Sequence, residues 1–194
     1  MNSELTLQLF AFDCNAIPDE QRNNALAAIK KFGKALKGTG RQQRVSGVRF
    51  TRDQEVRIKN QPLEKVKISR VLENEHSGVC QMLDQTANIM NDVGVRLAAE
   101  PEEERPSQVI MTIIVFGRDN ASVHFTYERL REMIALQRDV YKWKFLLVTD
   151  FTINMEKLGI AEEDTILIKK SDADWFAQPF EELTEKMLGL LKAS

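Results

Sequence analysis

Few residues of this chain have the type and spacing that catalysis requires. His124 is a lone histidine in a polar stretch, and no serine or cysteine stands at a readable triad spacing from it. Residues 13–18, which follow the first apolar stretch, contain no glycine, so the fingerprint of a nucleotide-binding loop is missing. The acidic groups Glu102–Glu104 and Glu162–Asp164 are typical of solvated loops. We therefore expect a protein that is not an enzyme.

Two apolar stretches, 5–13 and 108–116, are the elements that we expect to position a functional site. Residues 109–116 are apolar and rich in β-branched side chains, a pattern typical of a strand that is buried on both faces. Parallel sheets place ligand sites at the carboxyl ends of such strands. The loops after Asp13 and Phe116 are therefore where we expect a functional site.

Strands and helices are predicted to alternate along the whole chain. The predicted strands are 5–13, 44–51, 55–59, 108–116, 144–149 and 164–169, and the predicted helices are 19–37, 78–93, 126–141, 155–159 and 174–193. This alternation favours an α/β fold, a doubly wound, Rossmann-like three-layer sandwich with a mostly parallel sheet and one antiparallel edge strand. We expect a single domain over 1–194.

Several local signals set the predicted boundaries. Asp19 is the expected N-cap of the first helix, and Thr126 is the expected cap of a later one. Residues 44–51 and 55–59 are predicted to form a hairpin at a sheet edge. Residues 62–74 are expected to be extended and then to form a loop, and the proline-flanked, acidic stretch 96–106 is expected to be a surface loop.

Composition limits the environment and the partners. The chain has no apolar stretch long enough for a membrane span, no signal-peptide pattern and only two cysteines, so we expect a cytoplasmic protein without a membrane partner. Residues 1–70 hold 14 Lys and Arg against 7 Asp and Glu, whereas the remainder holds 13 against 22. No basic run interleaves with aromatic residues, so we do not expect nucleic-acid binding. The uneven charge is typical of solvated faces, and it could also supply contacts for a homo-oligomer.

The segment IIVFGRDNASVHFTYERLREMIALQRDVYKWKFLLVTD, 113–150, resembles the von Willebrand factor A-type domains found inside bacterial cells. Those domains show a glycine after the fourth strand, then Asn-Ala-Ser, a threonine that starts a helix and a Trp-x-Phe strand. Here these are Gly117, residues 120–122, Thr126 and residues 143–145. The resemblance extends to 5–37 and 78–93, and it implies the predicted fold.

The family's function depends on a metal-ion-dependent adhesion site (MIDAS), in which Asp, Ser and Thr oxygens hold Mg²⁺. The resemblance implies that this site is degenerate here. The first loop keeps Asp13 but has Asn15 and Ile17 where the family has serines, Cys80 replaces the threonine, and Phe116 replaces the second aspartate. Magnesium needs oxygen ligands in octahedral geometry, which these residues do not supply. We expect no cofactor.

If the two loops meet as in the family, Cys14, Cys80, His76 and Asp13 form a set of the kind that zinc takes, which we keep as a minor alternative to small buried cysteines. Asp13 itself is expected to bond the amides of its own loop. Apart from this alternative, we expect no metal site.

We predict a non-catalytic protein-interaction module that acts as an adaptor or as a subunit of a larger complex. By resemblance, its partner would be an AAA+ ATPase or a kinase–phosphatase module. The expected binding face consists of Asp13, Cys14, Asn15, Ile17, Gly78, Cys80, Phe116, Arg118, Asp119 and Asn120. On this interpretation, Phe116→Asp and Ile17→Ser should leave folding intact.

Two alternatives stay open. One is a small-ligand-binding or hydrolytic α/β domain that uses His124 and Asp13 in the same crevice. The other is metal-dependent binding through a residual site. A ligand that binds only the native state must raise the melting temperature, so thermal shifts separate these alternatives from a metal-free module.

Overall fold

The computed structural model describes residues 1–13, 17, 19–50, 56–67, 78–150, 155–169 and 175–192. The strands are β1 (Asn2–Phe12), β2 (Gln42–Arg49), β3 (Val56–Pro62), β4 (Pro106–Val115), β5 (Lys144–Thr149) and β6 (Thr165–Leu167). The α-helices are α1 (Arg22–Lys37), α2 (Met82–Ala99), α3 (Tyr127–Asp139), α4 (Met155–Leu158) and α5 (Ala177–Lys192).

The strands form a sheet in the order β3-β2-β1-β4-β5-β6. The two long central strands β1 and β4 pair in parallel, with Leu7 opposite Val109 and Phe12 opposite Ile114. The outer strands β2, β5 and β6 continue the parallel pairing, and β3 pairs antiparallel with β2 at one edge. The predicted fold class and the predicted edge hairpin are confirmed.

Helices cover both faces of the sheet, which is why the central strands are apolar on both sides. Along β1, Phe10 and Phe12 join the cluster under α1 and α5, whereas Leu7 and Leu9 join the cluster under α2 and α3. Each fully buried leucine contributes about 1.5–3 kcal/mol. The continuous apolar pattern of the two central stretches therefore reflects two cores that share one sheet.

A band of glutamines across β1, β2 and β4, buried at Gln8 and Gln43 and half-buried at Gln108, was not predicted. Gln8, in β1, donates to the side-chain oxygen of Gln43, in β2. The amide of Gln43 donates to the carbonyl of Leu36 at 3.0 Å, and the amide of Gln108 donates to the carbonyl of Leu190 at 3.1 Å. Carbonyls in the last turn of a helix have no partner within the helix. The glutamines thus tie the ends of α1 and α5 to the sheet.

Helix boundaries depart from the sequence prediction in three places. The helix predicted over 78–93 begins at Met82 and continues to Ala99, so the predicted loop 96–106 is partly helical. Arg105 explains the extension, because its guanidinium donates to the carbonyls of Ala98 and Glu100 at the helix end. Helix α1 follows a 3-10 turn, and its N-cap position is Gln21 rather than Asp19.

Elsewhere the predicted elements agree with the structure more closely. Strand β5 and helix α4 lie where the sequence predicts them, and Thr126 caps α3 by accepting a hydrogen bond from the amide of Arg129 at 3.2 Å. Strand β6 is shorter than predicted. The stretch 62–74 is predicted to be extended and then a loop, but Leu63–Lys65 form a 3-10 turn; residues 68–74 lie outside the described residues.

Candidate functional site

The predicted binding face lies at the carboxyl ends of β1 and β4. Asp13 directly follows β1 and is 1% exposed. Its amide donates to the carbonyl of Ile114 at 2.8 Å, and its carboxylate accepts a hydrogen bond from the amide of Phe116 at 3.3 Å. Asp13 therefore holds the ends of the two central strands together and lies beneath the surface.

Phe116 is part of the hydrophobic core, although the sequence places it on the rim. It is 1% exposed, and its ring packs edge-on against Phe12, Trp175 and Phe176, with centroids 5.9, 5.7 and 5.3 Å away. Ile17 is also buried. A carboxylate at position 116 would lie among three aromatic rings, at a cost of several kcal/mol. The burial contradicts our expectation that Phe116→Asp and Ile17→Ser leave folding intact.

The segments before α2 and before α3 are joined by reciprocal hydrogen bonds. The backbone amide of Asn120 donates to the carbonyl of Cys80 at 3.0 Å, and the amide of Cys80 donates to the side-chain oxygen of Asn120 at 2.8 Å. The side-chain amide of Asn120 also donates to the carbonyl of Gly78 at 3.0 Å. The hydrogen bonds of Asn120 thus join two segments of the protein, and Cys80, one of its partners, is buried.

Asp119 caps α2 from the neighbouring loop. No side chain at the helix's own N-cap, Gln81, fills that role. One oxygen of Asp119 accepts from the amide of Leu83 at 2.9 Å and from the hydroxyl of Ser122 at 2.6 Å. The other oxygen accepts from the amide of Ser122 at 3.0 Å. A carboxylate is favourable here because the first amides of a helix have no partner in the helix and carry partial positive charge.

Asp84 completes this connection from the α2 side. Its side chain is buried, with 3% exposed, and its carboxylate accepts hydrogen bonds from three successive amides, those of Val123, His124 and Phe125, at 2.9, 3.1 and 2.8 Å. The amide of Asp84 donates in turn to the hydroxyl of Ser122 at 3.0 Å. We call residues 118–125 the β4–α3 loop; Asp84 and Asp119 hold it rigidly against the start of α2.

Among the described residues, the β4–α3 loop presents a small set of exposed side chains at this edge. Arg118, Asn120 and His124 are exposed, and Val123 is 76% exposed. Tyr127 is half-buried at the base of the loop, where burial first, and then the Asp119 carboxylate, raise the pKa of its hydroxyl. Because the backbone is fixed from below, Arg118, Val123 and His124 form a preorganised surface.

Sequence reasoning missed Val123 as a surface residue and missed the roles of Asp84 and Ser122. The amides that bond Asp84 lie 39 to 41 residues further along the chain, so no local sequence pattern predicts these hydrogen bonds. The one available signal for Val123 was a valine among mostly polar residues in 118–124.

Three of the described residues at the family's ligand positions lack a side-chain oxygen for magnesium. Ile17, Cys80 and Phe116 supply no oxygen ligand, and the carboxylate of Asp119 is engaged by amides and a hydroxyl. In the part of the chain that the structure describes, no group of three or more His, Cys, Asp or Glu side chains could hold a metal ion. Cys14, Asn15 and His76 lie outside the described residues, so the zinc set of Cys14, Cys80, His76 and Asp13 stays a prediction.

Neither a family model nor a curated protein matches this sequence. A solved structure of proximal thread matrix protein 1 from the mussel byssus, with a zinc-occupied MIDAS motif, is similar, with a TM-score of 0.60 at 12% identity over 98% of this chain and 48% of that chain. A second crystal form of that protein gives a TM-score of 0.58 at 12% identity, over 99% and 47%.

This chain spans about half the length of those solved chains. At this identity the likeness concerns the fold alone. The chain has a von Willebrand factor A-like fold, as the sequence resemblance implied. None of the described helices is long and apolar enough to cross a membrane.

Proposed function

We propose that this chain is a non-catalytic protein-interaction module that binds its partner at the carboxyl edge of the sheet without a metal ion. It would act as an adaptor or as a subunit of a larger complex. The observation that carries the proposal is the β4–α3 loop, which two carboxylates fix in place while it presents Arg118 and Val123 to solvent. A von Willebrand factor A-like fold supports a role in protein interaction in general.

The chemistry of the edge supports binding without a metal. Where the resemblance requires oxygen ligands, the chain has Ile17, Cys80 and Phe116, and all three side chains are buried. Mg²⁺ would need several carboxylate, hydroxyl or carbonyl oxygens at about 2.0–2.1 Å in an octahedral arrangement. The zinc-occupied motif of proximal thread matrix protein 1 is a property of that protein.

The rigidity of the loop supports a role in recognition. A flexible loop loses conformational entropy when it binds, about 0.5–1.5 kcal/mol for each side chain that becomes immobile, whereas a preorganised loop loses less. Val123 offers an apolar contact, and Arg118 offers a cationic donor of a type enriched at interfaces. The expected partner, on the resemblance, is a cytoplasmic AAA+ ATPase or a kinase–phosphatase module.

The test uses two matched variants. Val123→Asp and Val95→Asp each place a carboxylate at an exposed valine, 76% and 73% exposed, on different parts of the surface. Quantitative affinity purification from the source cells, followed by mass spectrometry, should recover a specific protein with the wild type and with Val95→Asp. Recovery should fall about ten-fold or more with Val123→Asp, since a charge then enters the centre of the contact. Equal recovery with both variants would refute binding at this edge.

A further inference from the structure

Helix α1 carries an unusual concentration of positive charge. Its sequence, RNNALAAIKKFGKALK, contains five basic residues and no acidic residue. Lys30, Lys34 and Lys37 are exposed and recur at the spacing of one helix face. Lys34 and Lys37 are favoured by the helix dipole in the last turn, whereas Lys30 lies upstream of the turn where that effect acts. The dipole therefore accounts for only part of the charge.

The turn after β3 extends this charged face. The ammonium group of Lys37 donates to the carbonyls of Glu64 and Val66, at 3.2 and 3.0 Å. This contact places the exposed Lys65 and Lys67 beside the end of α1. We call Lys30, Lys34, Lys37, Lys65 and Lys67 the lysine surface. Among the described residues, the observed ion pairs involve none of these five side chains.

An apolar groove lies where α1 packs beside α5, and its lining residues Ala27 and Lys31 stand about one helical turn before Lys30 and Lys34 of the lysine surface. Its volume is about 190 Å³, and the ion pair between Lys31 and Glu181, at 2.6 Å, lies along it. The apolar part of the lining comes from both helices and consists of Ala27, Ala28, Phe32, Ala177 and Phe180. This volume is enough for one or two aliphatic side chains, and it is open to solvent.

We propose that the lysine surface and the adjoining groove bind an acidic segment of another protein. Carboxylates of the segment would face Lys30, Lys34 and their neighbours, and an apolar side chain of the segment would enter the groove. The charge complementarity selects an anionic partner, and the groove favours a polypeptide over a nucleic acid, because a phosphodiester backbone has no aliphatic group to place there.

Two further observations argue against a nucleic acid. The exposed basic residues of α1 and of the 63–67 turn are all lysines, which bind phosphate as point charges, whereas arginine gives the bidentate contacts typical of phosphate and base recognition. The exposed large hydrophobic side chains in the described ranges are Met1, Val95, Val123, Leu136, Val140 and Tyr141, and none belongs to α1 or the 63–67 turn. The lysine surface therefore lacks the aromatic platform on which bases stack.

This inference does not depend on the proposed edge interface. Three of the five lysines lie in the second half of α1, and the other two lie beside its end. The last turn of α1 is tied to the amino-terminal part of the sheet by Gln43, whereas Val123 lies beyond the carboxyl ends of the strands. The two surfaces can therefore be tested separately, and an acidic partner could bind while the edge is occupied.

The probe is a fluorescein-labelled peptide of four Glu-Glu-Leu-Glu repeats. Its binding is measured by fluorescence anisotropy at about 50 mM and 300 mM salt, where the electrostatic screening lengths differ more than two-fold. The test variant is Lys30→Glu with Lys34→Glu. The control is Lys144→Glu with Lys169→Glu, which reverses two exposed lysines elsewhere and gives the same net charge. Circular dichroism establishes that both variants fold.

We expect the test variant to bind the peptide about ten-fold or more weakly, and the control to change affinity by less than about two-fold. An all-glutamate peptide should bind more weakly than the leucine-containing one at the higher salt concentration, where the apolar contact contributes most. Val123→Asp should leave peptide binding unchanged, so a failure of the edge proposal would be distinguishable from a failure of this one.

Three outcomes would overturn the inference. The first is equal weakening in the test variant and the control, which would indicate a general effect of net charge. The second is tighter binding of a single-stranded oligonucleotide or of phosphatidylserine vesicles than of the peptide, which would assign the surface to another class of partner. The third is salt-sensitive self-association that the test variant abolishes, which would make a second copy of this chain the occupant.

Discussion

Replacing Asp84 with alanine gives the sharpest test of how the candidate site is built. The substitution removes the acceptor for three successive amides, those of Val123, His124 and Phe125. A hydrogen bond to a carboxylate contributes about 1.5–3 kcal/mol when it is buried. Val123 and His124 are exposed, so water can reach part of the released backbone. We therefore expect a loss of about 3–4 kcal/mol in the free energy of unfolding, below the sum of three full contributions.

Urea denaturation measures this loss through the midpoint, with the slope expected to stay constant because the surface exposed on unfolding is nearly unchanged. Asp92→Ala is the control, since Asp92 is an exposed carboxylate on the same helix. Its effect should stay within about 0.5 kcal/mol. Hydrogen exchange should also accelerate selectively over the β4–α3 loop in Asp84→Ala. A loss below about 1 kcal/mol, or uniform exchange, would refute the claim that Asp84 fixes the loop.

Three further predictions follow from buried and charged groups. Phe116→Ala should lower the free energy of unfolding by about 3–5 kcal/mol in urea titrations, and a loss below about 1 kcal/mol would place the ring outside the core. Glu100→Gln should lower the melting temperature. The Glu100 carboxylate lies 3.5 Å from the Arg44 guanidinium and 4.0 Å from that of Arg96; burial lowers the pKa of Arg96, and Glu100 opposes this effect by favouring the charged guanidinium. An unchanged melting temperature would contradict this prediction. Burial, and then Glu163, raise the pKa of Asp164, so the protonated form stabilises the fold at acid pH, and that contribution is lost as pH rises through the raised pKa. Asp164→Asn should therefore be a few tenths of a kcal/mol more stable than the wild type at pH 7, and the difference should vanish below about pH 3; a constant difference across this range would argue against titration of Asp164.

The fold was predictable because its signals are local and repeated. The stretch Lys144–Thr149 is an apolar, β-branched run between polar residues, and it forms β5 as predicted. Thr126 precedes an amphipathic helix, and its hydroxyl caps that helix. The central strands are apolar on both faces, which alone favours a sheet covered by helices on both sides. Such patterns need no knowledge of distant residues.

The site was less predictable because its contacts are not local. Asp84 bonds amides about 40 residues away, and Gln108 bonds a carbonyl of α5. A sequence pattern cannot distinguish an apolar residue at a strand end that faces solvent from one that turns inward, as Phe116 does against Trp175. The direction of a side chain after a strand is set by the residues that pack there, and here Phe12 of β1 and Trp175 and Phe176, just before α5, form an aromatic pocket.

The claim that this fold acts without a metal is tested most directly by a thermal-shift series with Mg²⁺, Mn²⁺, Ca²⁺ and Zn²⁺, each with and without chelator. A metal at 100 times its dissociation constant would stabilise the native state by about 2.7 kcal/mol, a readily measured rise in melting temperature. Our account predicts no shift with any of the four ions. A shift with Mg²⁺ or Mn²⁺ would show that the carboxyl edge binds metal despite Ile17, Cys80 and Phe116. A shift with Zn²⁺ alone would contradict the account in favour of a site at Cys14, Cys80, His76 and Asp13.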